Sequence, residues 1–273
     1  MDALIQRAVD ALRACPFIAG IVLGGSRATG TATENSDVDI GVYYRHGQLN
    51  AEMLSRLAQE LDDQHRENLV CGEGGWGPWV NCGGWLVMDG VHVDLIQRDM
   101  DRVQEVVERT DRGEFSAHYQ TGHPHAFLDV MYRGELASCQ LLYAADPEFS
   151  ALKSRAENYP LQRALMQFFL FEAEFSCALA EKNLPNGDLY YFTGHLFRAA
   201  SALNQALFAR NAQWCLNEKK AIFRIDGFPM HPQPYAARMN HIFTLLGTSP
   251  QQALTTLQTL RQETIALCHL PNA

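Results

Sequence analysis

The sequence predicts an α+β protein in two parts, strands with covering helices first and a bundle of helices after them. Two observations carry this. Alternation of apolar and polar residues at a period of two is found before Arg98, clearest in Asp37–Val42 and Val91–Ile96. Beyond Arg98 it stops, and segments with helical spacing follow near 101–110, 127–143, 160–183, 188–211, 234–246 and 250–268. Breakers separate them at Gly122-His123-Pro124, Asp146-Pro147, Pro185-Asn186-Gly187 and Pro229 through Pro234. The expected division is 1–105 and 106–273, and 273 residues suffice to bury a sizeable core.

Taken in order, Leu4, Ile5, Ala8, Val9 and Leu12 lie on one face of a first helix that stops before Pro16. Its acids distinguish it from a secretory leader. The apolar run Ile21-Val22-Leu23 leads straight into Gly24-Gly25-Ser26, where glycine lets backbone N–H groups approach a phosphate closely. In the next strand Asp37 and Asp39 alternate with Val38, Ile40 and Val42, so both carboxylates share one face. Their Cα atoms lie roughly 6.6 Å apart at about 3.3 Å per residue, a spacing from which side chains converge on divalent ions. Aspartate is depleted in strands, and adjacent like charges cost energy unless a cation offsets them, so this pair points to chemistry.

Asn50 to Asp63 predicts a helix covering the sheet through Met53, Leu54, Leu57, Ala58 and Leu61. A breaker-rich loop, Gly72 to Trp79, precedes a strand ending near Met88, a hairpin turn at Asp89-Gly90 and a strand in which Asp94 falls opposite Val91, Val93 and Leu95. Trp76, Trp79 and Trp85 are expected to pack against the sheet, with stacking on an acceptor ring or nucleobase as the alternative, and Asp89 and Asp99 to serve at the surface. In the second part the helix from Leu161 to Leu179 is apolar around much of its circumference, which marks Phe168, Phe169, Phe171 and Phe175 as bundle core.

A strand, Gly25-Ser26, Asp37-Val38-Asp39 inside a second strand and the later Asp94 together resemble the signature of the DNA polymerase beta-like nucleotidyltransferase superfamily. The resemblance covers roughly residues 18 to 96. It implies a polymerase beta palm-like mixed sheet with flanking helices and a third acid on a neighbouring strand. By the same resemblance Gly25 and Ser26 bind the triphosphate of ATP or another nucleoside triphosphate. Asp37, Asp39 and Asp94 then hold two Mg²⁺ ions roughly 3.5 to 4 Å apart, with Asp94 also placed to take a proton. A helical domain that completes the nucleotide and acceptor site makes the layout similar to aminoglycoside (kanamycin-type) nucleotidyltransferases. Lysines are scarce, and Lys219 or Lys220 is then the cation for the β- and γ-phosphates, with an exposed charged turn as the equal alternative. Glu135, Glu172, Glu174 and Asp188 are candidates to contact an amine-bearing acceptor or to act as base.

The formal charge is −9, from 22 basic and 31 acidic residues, with only four lysines, Lys153, Lys182, Lys219 and Lys220. No basic stripe suits a polyanionic backbone, which disfavours nucleic acid and leaves a small-molecule or protein acceptor. Seven cysteines without a CxxC pair read as reduced thiols, and no apolar stretch is long enough to span a membrane, so a soluble cytoplasmic protein is expected. His123 and His125 lack a third ligand at a diagnostic spacing and are expected to shape their loop or touch substrate. The expected activity is Mg²⁺-dependent transfer of a nucleoside monophosphate, AMP from ATP, to a hydroxyl of an aminoglycoside- or lincosamide-like molecule, releasing pyrophosphate. The alternatives are an adenylylating enzyme acting on protein and a nucleotide-binding regulatory module without turnover. Oligomeric state is open.

Overall fold

The computed structural model describes residues 1–268. The chain divides into two compact units, the first made of Met1–Gly122 and Ala126–Asn158, the second of His123–His125 and the chain from Tyr159 onward. Unit 1 contains α1 (Asp2–Leu12), β1 (Ile18–Leu23), α2 (Gly25–Ala28), β2 (Val38–Tyr44), α3 (Ala51–Leu61), β3 (Cys82–Met88) and β4 (Val91–Asp99). It continues through α4 (Met100–Asp111), β5 (Ala117–His118), β6 (Phe127–Leu128), α5 (Val130–Ser138), β7 (Gln140–Ala144) and α6 (Pro147–Ala156). Five strands form a mixed sheet in the order β3-β4-β2-β1-β7, in which only β2 and β4 run parallel. The short β5 and β6 pair with each other.

One face of the sheet is the core. Ile21, Leu23, Val38, Ile40, Val42, Leu86, Met88, Val93 and Leu95 pack with Leu4, Ala8 and Leu12 of α1 and Leu54 and Ala58 of α3, the residues whose helical spacing predicted those helices. Asn50 starts α3 by accepting a hydrogen bond from the Met53 N–H at 2.9 Å. The β3–β4 hairpin turns at Asp89 and Gly90, with φ of 52° and 75°, the left-handed pair that a two-residue turn of this hand requires. Both turn N–H groups donate to Asp63, at 2.9 and 2.8 Å, which fixes the hairpin to the end of α3.

The other face is covered only in part. Phe149 of α6 lies where a Gly20 side chain would be, with an added Cβ only 2.2 Å from the ring, and packs on Tyr43 with centroids 4.7 Å apart and planes tilted by 49°. Arg98, buried at 5 % exposure, forms a two-pronged pair with Glu135 of α5 at 2.8 and 2.9 Å.

The expected boundary near residue 105 falls inside unit 1. Asp99 caps α4 by accepting from the N–H groups of Asp101 and Arg102 at 3.0 and 3.3 Å, which gives this aspartate a structural role at a helix start. The helix expected over 127–143 is broken: Phe127–Leu128 pairs as β6, α5 ends at Ser138, and Gln140–Ala144 becomes β7 against the edge of β1. Asp146-Pro147, read as a break, is a helix start, with Asp146 accepting from the Glu148 N–H at 2.9 Å and proline in the first turn.

Arg133, fully buried, explains why the segment beyond α4 returns to this unit. Its guanidinium donates to carbonyls of Arg155 (2.9 Å), Ala156 (3.3 Å) and Asn158 (3.1 Å) at the end of α6. It also donates to Val107 O (3.2 Å), Thr110 Oγ1 (2.8 Å) and Asp111 Oδ1 (2.6 Å) of α4. One cation thus joins the C-terminal ends of two helices, where backbone carbonyls favour positive charge.

Unit 2 holds α7 (Gln162–Asn183), α8 (Leu189–Arg210), α9 (Ala221–Ile225), α10 (Tyr235–Leu245) and α11 (Pro250–Cys268). The bounds of α7, α8, α10 and α11 follow the helical spacing closely, and the short α9 was not expected. The core expectation for α7 holds for Phe169 alone. Phe169 is fully buried with Leu165, Met166, Ala173 and Cys177, whereas Phe168, Phe171 and Phe175 are 46 %, 66 % and 56 % exposed. The helix is packed on one side by α8 and α11, so its other side keeps its apolar character without burial. Asp188 caps α8 by accepting from the Tyr191 N–H at 3.0 Å. All seven cysteines are free, and no helix among the described residues is long and apolar enough to cross a membrane.

Replacing Arg133 by Met leaves two helix ends and Asp111 without their shared cation. The variant is expected to lose roughly 3–5 kcal/mol of stability, the cost of breaking a buried ion pair. Urea denaturation checks this, and a midpoint equal to wild type would show that the helix ends are held by packing alone.

Candidate active site

The site is built where β1 hands over to β2. Beyond Leu23 the Gly24 N–H donates to the Asp39 carbonyl at 2.8 Å, and the chain enters α2 through Gly25 at φ +60°. A Cβ at Gly25 would lie 1.8 Å from Asp39 Oδ2 and 2.7 Å from its Cγ. Glycine is therefore demanded twice, by a left-handed backbone and by a carboxylate against it. Arg27 ties the connection down. Its Nε donates to the Asp37 carbonyl at 3.0 Å and its Nη2 to that of Ser36, while the Thr31 N–H donates to Ser26 O at 2.9 Å. Asp37 stands just ahead of β2 and is exposed.

Asp39 and Asp94 are direct partners across the parallel pair β2 and β4, both half-buried, on the face away from the α1–α3 core. Partners in neighbouring strands are about 4.8 Å apart at Cα. Their carboxylates feel each other. Burial first, then the charges of Asp39 and Asp37, push the Asp94 carboxyl up to about 6. Asp39 is raised as well, by burial, then by Asp37, with Glu135 adding a little and Arg27 opposing. Oxygen donors with unneutralised negative charge, beside a turn without a Cβ, fit a hard divalent cation. Asp37, Asp39 and Asp94 are the residues that would hold one.

A second cluster differs in kind. His46, Glu73 and Asp99 bring ligand-type atoms within 4.8 Å of one another, closer than the three aspartates come, at the margin of a cleft of about 640 Å³ also lined by Arg102 and Asn81. These groups are already used. His46 Nδ1 lies 2.6 Å from Asp99 Oδ2, Asp99 caps α4, and Glu73 accepts from the Tyr44 hydroxyl at 2.8 Å. Because Tyr44 pairs with Asp99, this knot closes the opposite end of β2 and β4 from Asp39 and Asp94.

Residues 5–109 match the family model described as a nucleotidyltransferase domain. Unit 1 carries a nucleotidyltransferase domain. A solved nucleotidyltransferase-like protein from Exiguobacterium sibiricum covers 97% of this chain and 73% of its own, at 12% identity and a TM-score of 0.44. No curated protein matches the sequence.

In the nucleotidyltransferase domain the structure brings Gly25, Asp39 and Asp94 together, with Ser26 and Asp37 in the same connection. Lys219 and Lys220 belong to unit 2. Both are exposed in the turn before α9, where the Lys219 N–H donates to Asn217 Oδ1 at 2.7 Å and Lys220 takes φ +62°. Glu218, just before them, faces inward. It accepts from the His125 N–H at 3.1 Å and lies 3.4 Å from His123 Nδ1. His125 Nε2 is in turn 3.6 Å from Glu172, which also takes Arg198 at 2.5 Å. The two histidines thus shape their loop through acids of unit 2.

Arg27 was not singled out from the sequence, and Trp85 was expected to pack against the sheet. A lone base inside an otherwise polar connection was the available signal for the first. The second depends on which strand lies beside Asp94.

Asp94 also sets a pH dependence of stability. Its folded value of about 6 lies above the ordinary 3.8, so its contribution is favourable below about pH 4 and is lost as pH rises through 6. With chelator present, Asp94→Asn is expected to melt roughly 2–4 °C above wild type at pH 8. The two should converge near pH 4, and an Asn variant melting lower at pH 8 would contradict the repulsion. Gly25→Ala is expected to weaken Mg²⁺-nucleotide binding by about a hundredfold or more through strain and displacement of Asp39. Isothermal titration measures it, and unchanged affinity would remove the turn from the site.

Proposed function

We propose that this chain transfers AMP from ATP to a hydroxyl of a small molecule, releasing pyrophosphate, with Mg²⁺ as cofactor. The observation that carries the reading is the Asp39–Asp94 pair across β2 and β4 with the Gly25-Ser26 turn pressed against Asp39. Asp37, Asp39 and Asp94 would hold two Mg²⁺ ions, which would supply Lewis-acid stabilisation of charge on the transferring phosphoryl group. Backbone N–H groups at Gly25 and Ser26 receive the triphosphate, where a side chain on Gly25 would intrude. Arg27 keeps the connection to Asp37 closed around it. A carboxylate of Asp94, farther from the turn by one strand, accepts the proton of the attacking hydroxyl, to which its raised affinity for a proton suits it.

Lys219 or Lys220 is the candidate to offset phosphate charge, and Glu172 is among the candidates to contact an amine-bearing acceptor. A charge of −9 with four lysines supports a small acceptor of the aminoglycoside or lincosamide kind over nucleic acid. Seven free thiols fit a reducing cytoplasm.

Melting curves with a panel of nucleoside triphosphates test the donor site. MgATP at about 100 times its dissociation constant is expected to add roughly 2.7 kcal/mol of stability. Asp37→Asn combined with Asp39→Asn should abolish both this shift and acceptor-dependent pyrophosphate release while leaving the fold intact. Full turnover in the double variant would reject the mechanism, and binding without turnover would mark a regulatory module.

A further inference from the structure

Trp85 was expected to be packed against the sheet, and it is not. It lies on β3, the edge strand, directly paired with Asp94 in antiparallel register, so the indole and the carboxylate stand on the same face. Its side chain is 60 % exposed, while the next residue, Leu86, is 1 % exposed on the core face. An edge-strand tryptophan left in water forgoes the stabilisation that burying its large surface would bring, and it adds an apolar edge that proteins ordinarily avoid.

The indole is nevertheless held in place. Trp76 stacks on it at 4.7 Å between centroids and 21° between planes. Trp76 in turn occupies the space over Gly83, where an added Cβ would fall 2.1 Å from its ring. Its backbone is pinned on both sides, the N–H donating to Asn81 O at 2.8 Å and the carbonyl accepting from Gln120 Nε2 at 2.8 Å. A fixed indole therefore backs an exposed one.

The strand order β3-β4-β2-β1 places four features in a row: Trp85, Asp94, Asp39 and the Gly25 turn that follows β1. The triphosphate cradle is at one end. Trp85 is at the other, beyond the carboxylate that faces the attacking oxygen. The exposed π-face and the adjacent carboxylates both attract a positively charged or C–H-polarised ring.

We propose that Trp85, backed by Trp76, is the platform on which the hydroxyl-bearing ring of the acceptor lies face-on, holding its hydroxyl beside Asp94. This rests on the nucleotidyl-transfer reading. It goes beyond it by assigning the acceptor side of the site to unit 1 and to a ring-stacking contact.

The test uses the full chain with MgATP as donor and kanamycin A, lincomycin and adenosine as acceptor probes. At least one probe is expected to quench tryptophan fluorescence in wild type. For that probe Trp85→Ala should raise the KM for pyrophosphate release about tenfold with kcat within about twofold, as the loss of a ring-stacking contact predicts. Trp85→Phe, which keeps an aromatic face, should recover most of the loss, and the MgATP dissociation constant should be the same in all three proteins. Absence of quenching by every probe, or an acceptor KM unchanged in Trp85→Ala, would overturn the platform. Weakened MgATP binding in that variant would instead assign the indole to the nucleobase and overturn the acceptor role. Failure of wild type to bind MgATP at all would strike the transfer reading, and it is seen separately because the fluorescence titration needs no turnover.

Discussion

Two carboxylates held side by side across a parallel strand pair are the constraint on which the rest of unit 1 depends. Asp39 and Asp94 repel one another, and both are partly removed from water, which makes their ionised forms costly. What keeps them adjacent is the reverse face of the same strands. Val38, Ile40, Val93 and Leu95 are fully buried under α1 and α3, and a shift of register by one residue would turn that apolar set toward solvent. Hydrophobic burial on one side of the sheet thus holds an electrostatic tension on the other.

The two ends of β2 and β4 show the contrast between a used and an available cluster. At the Tyr44–Asp99 end every acid is engaged with a helix start, a hydroxyl or His46, and the arrangement reads as architecture. At the Asp39–Asp94 end the Arg27 charge bears on Asp39, but its guanidinium donates to the backbone carbonyls of Asp37 and Ser36. Proximity of acids alone would have favoured the first cluster. The distribution of hydrogen bonds favours the second.

Much of this was legible in the sequence because it is carried by local pattern. Alternation around Asp37 and Asp39, the Asp89-Gly90 turn and the apolar stripes of α1 and α3 each reflect a backbone geometry that a few residues determine. What was not legible depends on partners distant in the chain. Gln140–Ala144 is a strand because the edge of β1 is open to it, and Arg133 draws α6 back to α4 across more than twenty residues. The exposure of Phe171 and Phe175 follows from how much of α7 its neighbours cover, which no periodicity reports. Trp85 belongs to the same class, since its neighbour Asp94 is set by strand pairing.

The path of the chain between the units has a consequence for dissecting the molecule. It leaves unit 1 at Gly122, contributes only His123–His125 to unit 2, returns at Ala126 and departs again at Asn158. A gene fragment ending at residue 158 would therefore carry a three-residue loan from the helical unit, with His123 and His125 deprived of Glu218 and Glu172. The helical unit expressed from Tyr159 would keep those two acids in its interior, at 14 % and 11 % side-chain exposure, without the imidazoles that face them. Neither half is a module in the genetic sense. A recombination event that exchanged one for a foreign counterpart at a single crossover would leave buried charge behind, which ties the inheritance of the two units together.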